Sequence, residues 1–423
     1  MLPIPNENLL ELVLAPENLN SAWQRVRANK GAPGIDGLTI EKFVDHFRAQ
    51  GKSVVNAIKY GCYSPYPVKR VYIEKESGGL RGLGIPTVFD RVIQQAIVQI
   101  LTPIFDPTFS EYSFGFRPNK SQHLAVKQVQ TFIKQGRKIA VDVDLSKFFD
   151  RVNHDLLMTL LGKRIRDKSL LKLIAKYLRA GSVEDGVWSE CREGVPQGGP
   201  LSPLLSNIVL DVLDKELEHR KHAFARYADD FIILVKSKRN GVQVFTSIIR
   251  FIERKLKLKV NDQKSGVKPV NECKFLSFTF HGNAVKWHPD AELKFKYRVK
   301  TLTGRSRGIS MEKRISELTI YLRGWINYFG IGQGFQKCID LDQWIRRRLR
   351  MCFWKEWRNT RTKIRNLISL GVSHDLAVNC GASGKSYWRS AKTEGINRAL
   401  TNEFFAEKGL ISLRDRWVEI NYG

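Results

Sequence analysis

Tyr227-Ala228-Asp229-Asp230 stands between two largely apolar runs, His222-Ala223-Phe224-Ala225-Arg226 before it and Phe231-Ile232-Ile233-Leu234-Val235 after it. The pattern predicts a buried β-hairpin with two adjacent carboxylates at its tip. Such carboxylates repel each other and lose hydration, so something positive must neutralise them, most simply a divalent metal. Taken alone, an Asp-rich turn is more often a solvated hairpin tip. A second segment changes the balance. In Ile139-Ala140-Val141-Asp142-Val143-Asp144-Leu145, Ile139, Val141 and Val143 share one face of a strand and Asp142 and Asp144 the other. If that strand lies beside the hairpin, Asp144 joins Asp229 and Asp230 in an all-oxygen site for two hard cations, an arrangement that serves displacement at phosphorus.

Composition points the same way. The 423 residues carry a formal charge of +28, from 70 Lys or Arg against 42 Asp or Glu, which implies a polyanionic partner, nucleic acid or an anionic membrane. No run approaches the roughly 18–20 apolar residues of a membrane span, and Met1 to Pro16 lacks the basic lead of a secretory signal. The expectation is a soluble, cytoplasmic protein without a membrane partner. The six cysteines are scattered singly, which argues against zinc and against a disulfide framework. From residue 291 onward there are 26 basic against 12 acidic residues, with six of the nine tryptophans. The densest piece runs from Trp344 to Arg358. There Trp344, Leu349, Cys352 and Phe353 are expected to face a core, with Arg346, Arg347 and Arg350 outward, either solvated or tracking phosphates.

Along the chain, residues 1 to about 60 read as helices, with Asn18 or Asn20 as a cap and a loop at Gly31–Gly37. A basic hairpin follows, Val68 to Lys75 returning at Leu80 to Ile85 through Ser77-Gly78-Gly79. Helices are expected at Asp90–Phe105, His123–Gly136, Asn153–Leu178 and Leu204–Leu217. The helical period dominates after about Lys294, most firmly at Ile315–Phe329 and Trp344–Trp357.

Several of these segments form an ordered set: Gly34-Ile35-Asp36-Gly37; Lys75 with Arg81 and Leu83 to Thr87; Ser113-Phe114-Gly115-Phe116-Arg117-Pro118; Asp144 to Asp150; Pro196-Gln197-Gly198; Tyr227 to Asp230; and Leu258 to Asn261 with Lys264. In this order, and with Tyr321 to Phe329 beyond them, the chain resembles the bacterial group II intron-encoded reverse transcriptases, or maturases, over nearly its whole length. The resemblance implies an α/β (α+β) right-hand polymerase, with palm and fingers followed by an all-helical thumb and a small helical C-terminal domain. The boundaries expected are 1–70 for an N-terminal extension and the start of the fingers, 71–293 for fingers and palm, 294–372 for the thumb, and 373–423 for a DNA-binding domain.

The resemblance also assigns residues. Asp144, Asp229 and Asp230 match the metal-binding triad, with the Leu145 carbonyl as a further ligand and Mg²⁺ as the ion, Mn²⁺ substituting. Phe149 matches the bulky residue that excludes a 2′-hydroxyl. Lys75 and Arg81 match residues that hold the triphosphate, Gln197 and Gly198 the loop against template and nucleotide, and Lys264 a proton donor to pyrophosphate. Leu276 and Ser277 fall where the family contacts the primer end, and Arg117, Arg346, Arg347 and Arg350 are expected on nucleic acid. Partners would be an RNA template, a DNA or RNA primer, dNTPs, intron RNA and target DNA, with the protein a monomer or homodimer.

The chain departs from the family pattern in places. Ile73-Glu74-Lys75-Glu76 replaces Ile-Pro-Lys-Pro, Phe275-Leu276-Ser277 replaces Phe-Leu-Gly, and no paired-cysteine nuclease module is seen up to Gly423. The expectation is therefore a form without that nuclease. Two other readings remain: a free-standing polymerase serving DNA repair or defence, and a non-catalytic RNA-binding splicing factor.

Overall fold

The computed structural model of the protein describes residues 7–74 and 78–423, and it divides into two compact units, Met1–Val270 and Asn271–Gly423. Lys75, Glu76 and Ser77 lie outside the described residues.

In the first unit, the two strands expected to carry the acids pair directly. Ile139–Val143 lies antiparallel to Asp230–Val235, with Val143 opposite Phe231, and its other edge pairs with Gly266–Pro269. Ala223–Tyr227 completes a four-stranded antiparallel sheet. Phe231, Ile232, Ile233 and Leu234 are all at most 1% exposed, so this strand reads as a continuous apolar run because both its faces are covered. The helices Gln122–Lys134 and Lys238–Phe251 pack against this strand and supply part of that cover. A second four-stranded sheet joins the hairpin Val68–Glu74 and Leu80–Ile85 to the short strands Ser182–Glu184 and Val187–Ser189.

Two local expectations are corrected. Neither Asn18 nor Asn20 caps a helix. The helix Pro16–Ala28 starts on its proline, whose missing N–H suits the first turn, and Asn18 lies inside it, donating to the carbonyls of Val13 and Ala96. The expected helix from Asn153 to Leu178 is two helices, His154–Gly162 and Lys168–Arg179, because the Asp167 carboxylate caps a new start by accepting from the N–H groups of Ser169 and Leu170.

The second unit holds one strand pair, Phe278–His281 with Ala284–Trp287, and helices that include Pro289–Leu302, Met311–Phe329 and Phe335–Glu356. Its arginines do not simply face outward. Arg314 is 3% exposed and donates to the carbonyls of Leu302 and Gly304, while Arg348 donates to Thr303 Oγ1 and to the carbonyls of Lys300 and Thr303. The last carbonyls of a helix lack intrahelical partners, and guanidinium groups satisfy them while complementing the negative end of the dipole. Part of the positive charge of this unit is therefore used internally.

Leu276 and Ser277 form a tight turn. Phe275 and Phe278 exchange both backbone hydrogen bonds, at 3.0 and 2.9 Å, and the two residues between them sit at φ +49° and +65°. The Leu276 carbonyl accepts from Tyr328 Oη and the Ser277 carbonyl from the His288 N–H, so the left-handed geometry is held from outside. Glycine adopts this geometry without a Cβ penalty. Ser277→Gly is accordingly expected to raise unfolding stability by about 0.5–1 kcal/mol, read from denaturant midpoints, whereas a loss of stability would contradict the strain.

Candidate active site

The Tyr227–Asp230 turn is tight: Tyr227 pairs with Asp230, and Ala228 has φ +57°. What holds an alanine there is Arg226, which is fully buried together with its ion-pair partner Asp214. The Arg226 guanidinium donates to both Asp214 carboxylate oxygens, to Asn207 Oδ1 at 2.9 Å, to Ser113 Oγ at 2.8 Å and to the Ala228 carbonyl at 2.9 Å. Its backbone is gripped as well, its N–H donating to Tyr112 O and its carbonyl accepting from the Phe114 N–H. Asn207 passes the network on by donating to the Gly115 carbonyl. Gly115 abuts the backbone of Ala228 with no room for a Cβ, so the Ser113–Phe116 loop and the acidic turn form one block.

Asp229 sits at the tip of this turn. Burial pushes its carboxyl above the ordinary carboxylate range and the charge of Asp144 adds to that, while Arg81 and Arg226 oppose it. Asp144 is held at the end of its strand, its N–H donating to Ser265 Oγ and its carbonyl accepting from the Asn261 N–H. The Leu145–Val260 bridge uses Asp144 O and Ser146 N, which leaves the Leu145 carbonyl turned away from that strand. Among the described residues no three His, Cys, Asp or Glu side chains converge into a ready-made metal cluster. Asp144 and Asp229 are the pair brought together. Asp230 is the first residue of its strand, directly after the turn. The oxygen-only donor set and the desolvated carboxylate still suit a hard divalent cation. Asp142, on the same strand, is instead neutralised by Lys268 at 2.8 Å.

A cleft of about 460 Å³ is lined by Arg81, Phe116, Phe149, Gln197 and Gly198 among others. Arg81 Nε donates to Gln197 Oε1 at 2.8 Å, and the Gln197 carbonyl accepts from the Gly84 N–H at 2.7 Å. Gly198, at φ +123°, lies so close to the Gly84 carbonyl that a Cβ would strike it at 2.5 Å. Phe149 is 8% exposed, and its carbonyl accepts from the Val195 N–H. Lys264 is exposed, on the turn whose Asn261 holds the Asp144 backbone.

Three of the arginines expected on nucleic acid have internal work. Arg117 is corrected outright: its side chain is 5% exposed, pairs with Asp106 at 2.7 Å and donates to the carbonyls of Asp106, Ser110 and Ser113. Arg347 lies 3.7 Å over the Trp388 ring and donates to the Trp388 carbonyl, and Arg350 donates twice to Leu400 O, with burial pushing its guanidinium down to about 10. Arg346 is half-buried.

The family described as "Reverse transcriptase (RNA-dependent DNA polymerase)" matches residues 73–280, and "Group II intron, maturase-specific domain" matches residues 293–369. Protein YkfC of Escherichia coli (strain K12) is 34% identical over 307 residues, covering 63% of this chain and 80% of that protein. This chain belongs to the group II intron-type reverse transcriptases. It is an RNA-directed DNA polymerase with a maturase domain, and nucleic acid is its partner. The group II intron-encoded protein LtrA of Lactococcus lactis subsp. cremoris is 28% identical, covering 78% of this chain and 71% of that protein. A solved partial Cas6-RT-Cas1–Cas2 complex is 25% identical with a TM-score of 0.38, over 58% of this chain and 42% of that one, and the assignment does not rest on it. The family uses divalent metals, and among the described residues no helix of this reverse transcriptase is long and apolar enough to cross a membrane.

The sequence reading missed Arg226, Asp214 and Asn207. The signal available was an arginine interrupting a strand otherwise apolar enough to be buried, which demands a buried anion. Removing one partner of such a pair leaves the other charge stranded. Arg226→Met is expected to cost about 3–5 kcal/mol of unfolding stability, with part recovered in the Arg226→Met, Asp214→Leu double variant; a single-variant cost under about 1 kcal/mol would contradict this.

One helical turn before Asp214, burial pushes the Asp211 carboxyl up to about 6, the Asp214 charge adding to it. Its Oδ1 has no hydrogen-bond partner among the described residues. A raised carboxylate stabilises the fold fully below its unfolded value near 4, and that contribution is lost as pH rises through about 6. Asp211→Asn is therefore expected to melt above the unaltered enzyme at pH 8 and level with it at pH 4, and equal melting at both would contradict the assignment.

Proposed function

We propose that Asp144, Asp229 and Asp230, with the Leu145 carbonyl, form the divalent-cation site of this reverse transcriptase, Mg²⁺ being the ion used and Mn²⁺ a substitute. The observation that carries the reading is the half-buried, desolvated Asp229 beside Asp144, on a turn clamped by Arg226. Bound ions would neutralise the carboxylates, ease loss of the proton from the primer 3′-hydroxyl and offset charge on the leaving pyrophosphate. The primer 3′-oxygen bonds to the α-phosphorus of a dNTP as the bond to pyrophosphate breaks. Arg81, held by Gln197, steadies the triphosphate, and Lys75 shares that role. Phe149 occupies the space a 2′-hydroxyl would need, and Gly198 lets the backbone come close to the nucleotide. Lys264 returns a proton to pyrophosphate. Leu276 and Ser277 contact the primer end.

The template is RNA, with a DNA or RNA primer, and the basic surfaces bind intron RNA and target DNA in splicing and mobility, in the bacterial cytosol. The surplus of +28 supports a polyanionic partner even though several arginines are used internally. RNA binding is separable from polymerisation because it does not use the aspartates.

Primer extension on an RNA template with dNTPs and Mg²⁺ tests the reading. Asp229→Ala should lose about 10³-fold or more in extension while binding intron RNA within about two-fold of the unaltered protein. Extension that survives, or RNA binding lost in parallel, would overturn it.

A further inference from the structure

Phe116 stands in the left-handed region at φ +56°, where a bulky side chain is a genuine outlier and glycine would sit freely. The surrounding chain forces it there. Phe114 N–H donates to Arg226 O, Gly115 O accepts from Asn207 Nδ2, Gly115 is jammed against Ala228, and Arg117 is locked to Asp106 and to the carbonyls of Ser110 and Ser113. The strained side chain does not fill a core. Phe116 is 57% exposed, its ring stands 6.0 Å from the Tyr227 ring, and the residue lines the cleft that also holds Arg81, Phe149 and Gln197. An exposed aromatic ring held in strain beside a catalytic turn, with both flanks over-determined, is a feature whose cost calls for a ligand.

We propose that the Phe116 ring is a nucleotide-contacting surface, taking the flat face of a base or sugar at the reacting end of the cleft. The inference rests on the polymerase reading of the cleft. Two sources offer that face, the incoming dNTP and the template–primer strand. Base stacking on an aromatic side chain is sequence-tolerant, which suits a polymerase that must accept every nucleotide.

The test uses the full chain, measuring the unfolding midpoint, Kd for a template–primer and KM for dNTP in Phe116→Gly, Phe116→Leu and Phe116→Tyr. Phe116→Gly should melt at or above the unaltered protein, because the strain is relieved, and yet lose about 10-fold or more in one binding constant. A rise in KM for dNTP identifies the incoming nucleotide as the ligand, and a rise in Kd identifies the strand. Phe116→Leu, which keeps bulk and Cβ but has no flat face, should lose similarly, and Phe116→Tyr should stay within about three-fold. The proposal is overturned if Gly and Leu variants keep both constants within about two-fold, or if Phe116→Tyr loses as much as Phe116→Gly. Asp229→Ala run in parallel separates the two failures: surviving extension there refutes the polymerase site itself, whereas lost extension with neutral Phe116 variants refutes only this contact.

Discussion

The buried ion pair between Arg226 and Asp214 is the constraint on which the Tyr227–Asp230 turn of the first unit depends. Two fully desolvated charges are costly unless their remaining hydrogen-bonding capacity is met, and here it is met by Asn207, Ser113 and the Ala228 carbonyl. That last bond ties the pair to the turn. A left-handed alanine between Tyr227 and Asp229 becomes tolerable because its carbonyl has a charged donor, and Asp229 is thereby carried to Asp144. Through Asn207 the same guanidinium also reaches Gly115, so the loop bearing Phe116 cannot shift without the acidic turn.

Arginine has two different uses in this chain. Inside each unit it closes gaps in backbone hydrogen bonding: Arg117 gathers three carbonyls in the first, while Arg314, Arg348 and Arg350 gather helix-end carbonyls in the second. A planar fork with five donors suits this work better than a lysine ammonium does. Net charge read from composition therefore indicates a polyanionic partner correctly, but it overstates how much of that charge is free to meet one.

What was legible in the sequence was whatever depends on local pattern. The alternation in Ile139–Val143, the apolar run Phe231–Val235 and the acids between them predicted a pairing that the register reproduces, and the helix around Leu204–Leu217 followed from its period. Ordered motifs carried the family assignment that the domain matches support. Whatever depends on distant partners was not legible. Asn18 has the chemistry of a cap, but Pro16 starts the helix and the Ala96 carbonyl captures the side chain. Arg347 is a surface residue by composition and becomes a stacked, bonded one only because Trp388 folds back on it. The left-handed Phe116 is invisible in a string of letters, since its φ is imposed by Arg226 and Asn207 from elsewhere in the chain.

On the proposed reading, Asp144 and Asp229 are presented together to hold divalent ions. The most direct measurement is a paramagnetic Mn²⁺ titration of the full chain with a chain-terminated template–primer and dNTP, comparing the unaltered enzyme with Asp144→Asn and Asp229→Asn. Affinity weakened by about 10-fold or more in each variant, with folding intact, is the predicted result. Unchanged stoichiometry and affinity in both variants would contradict the account.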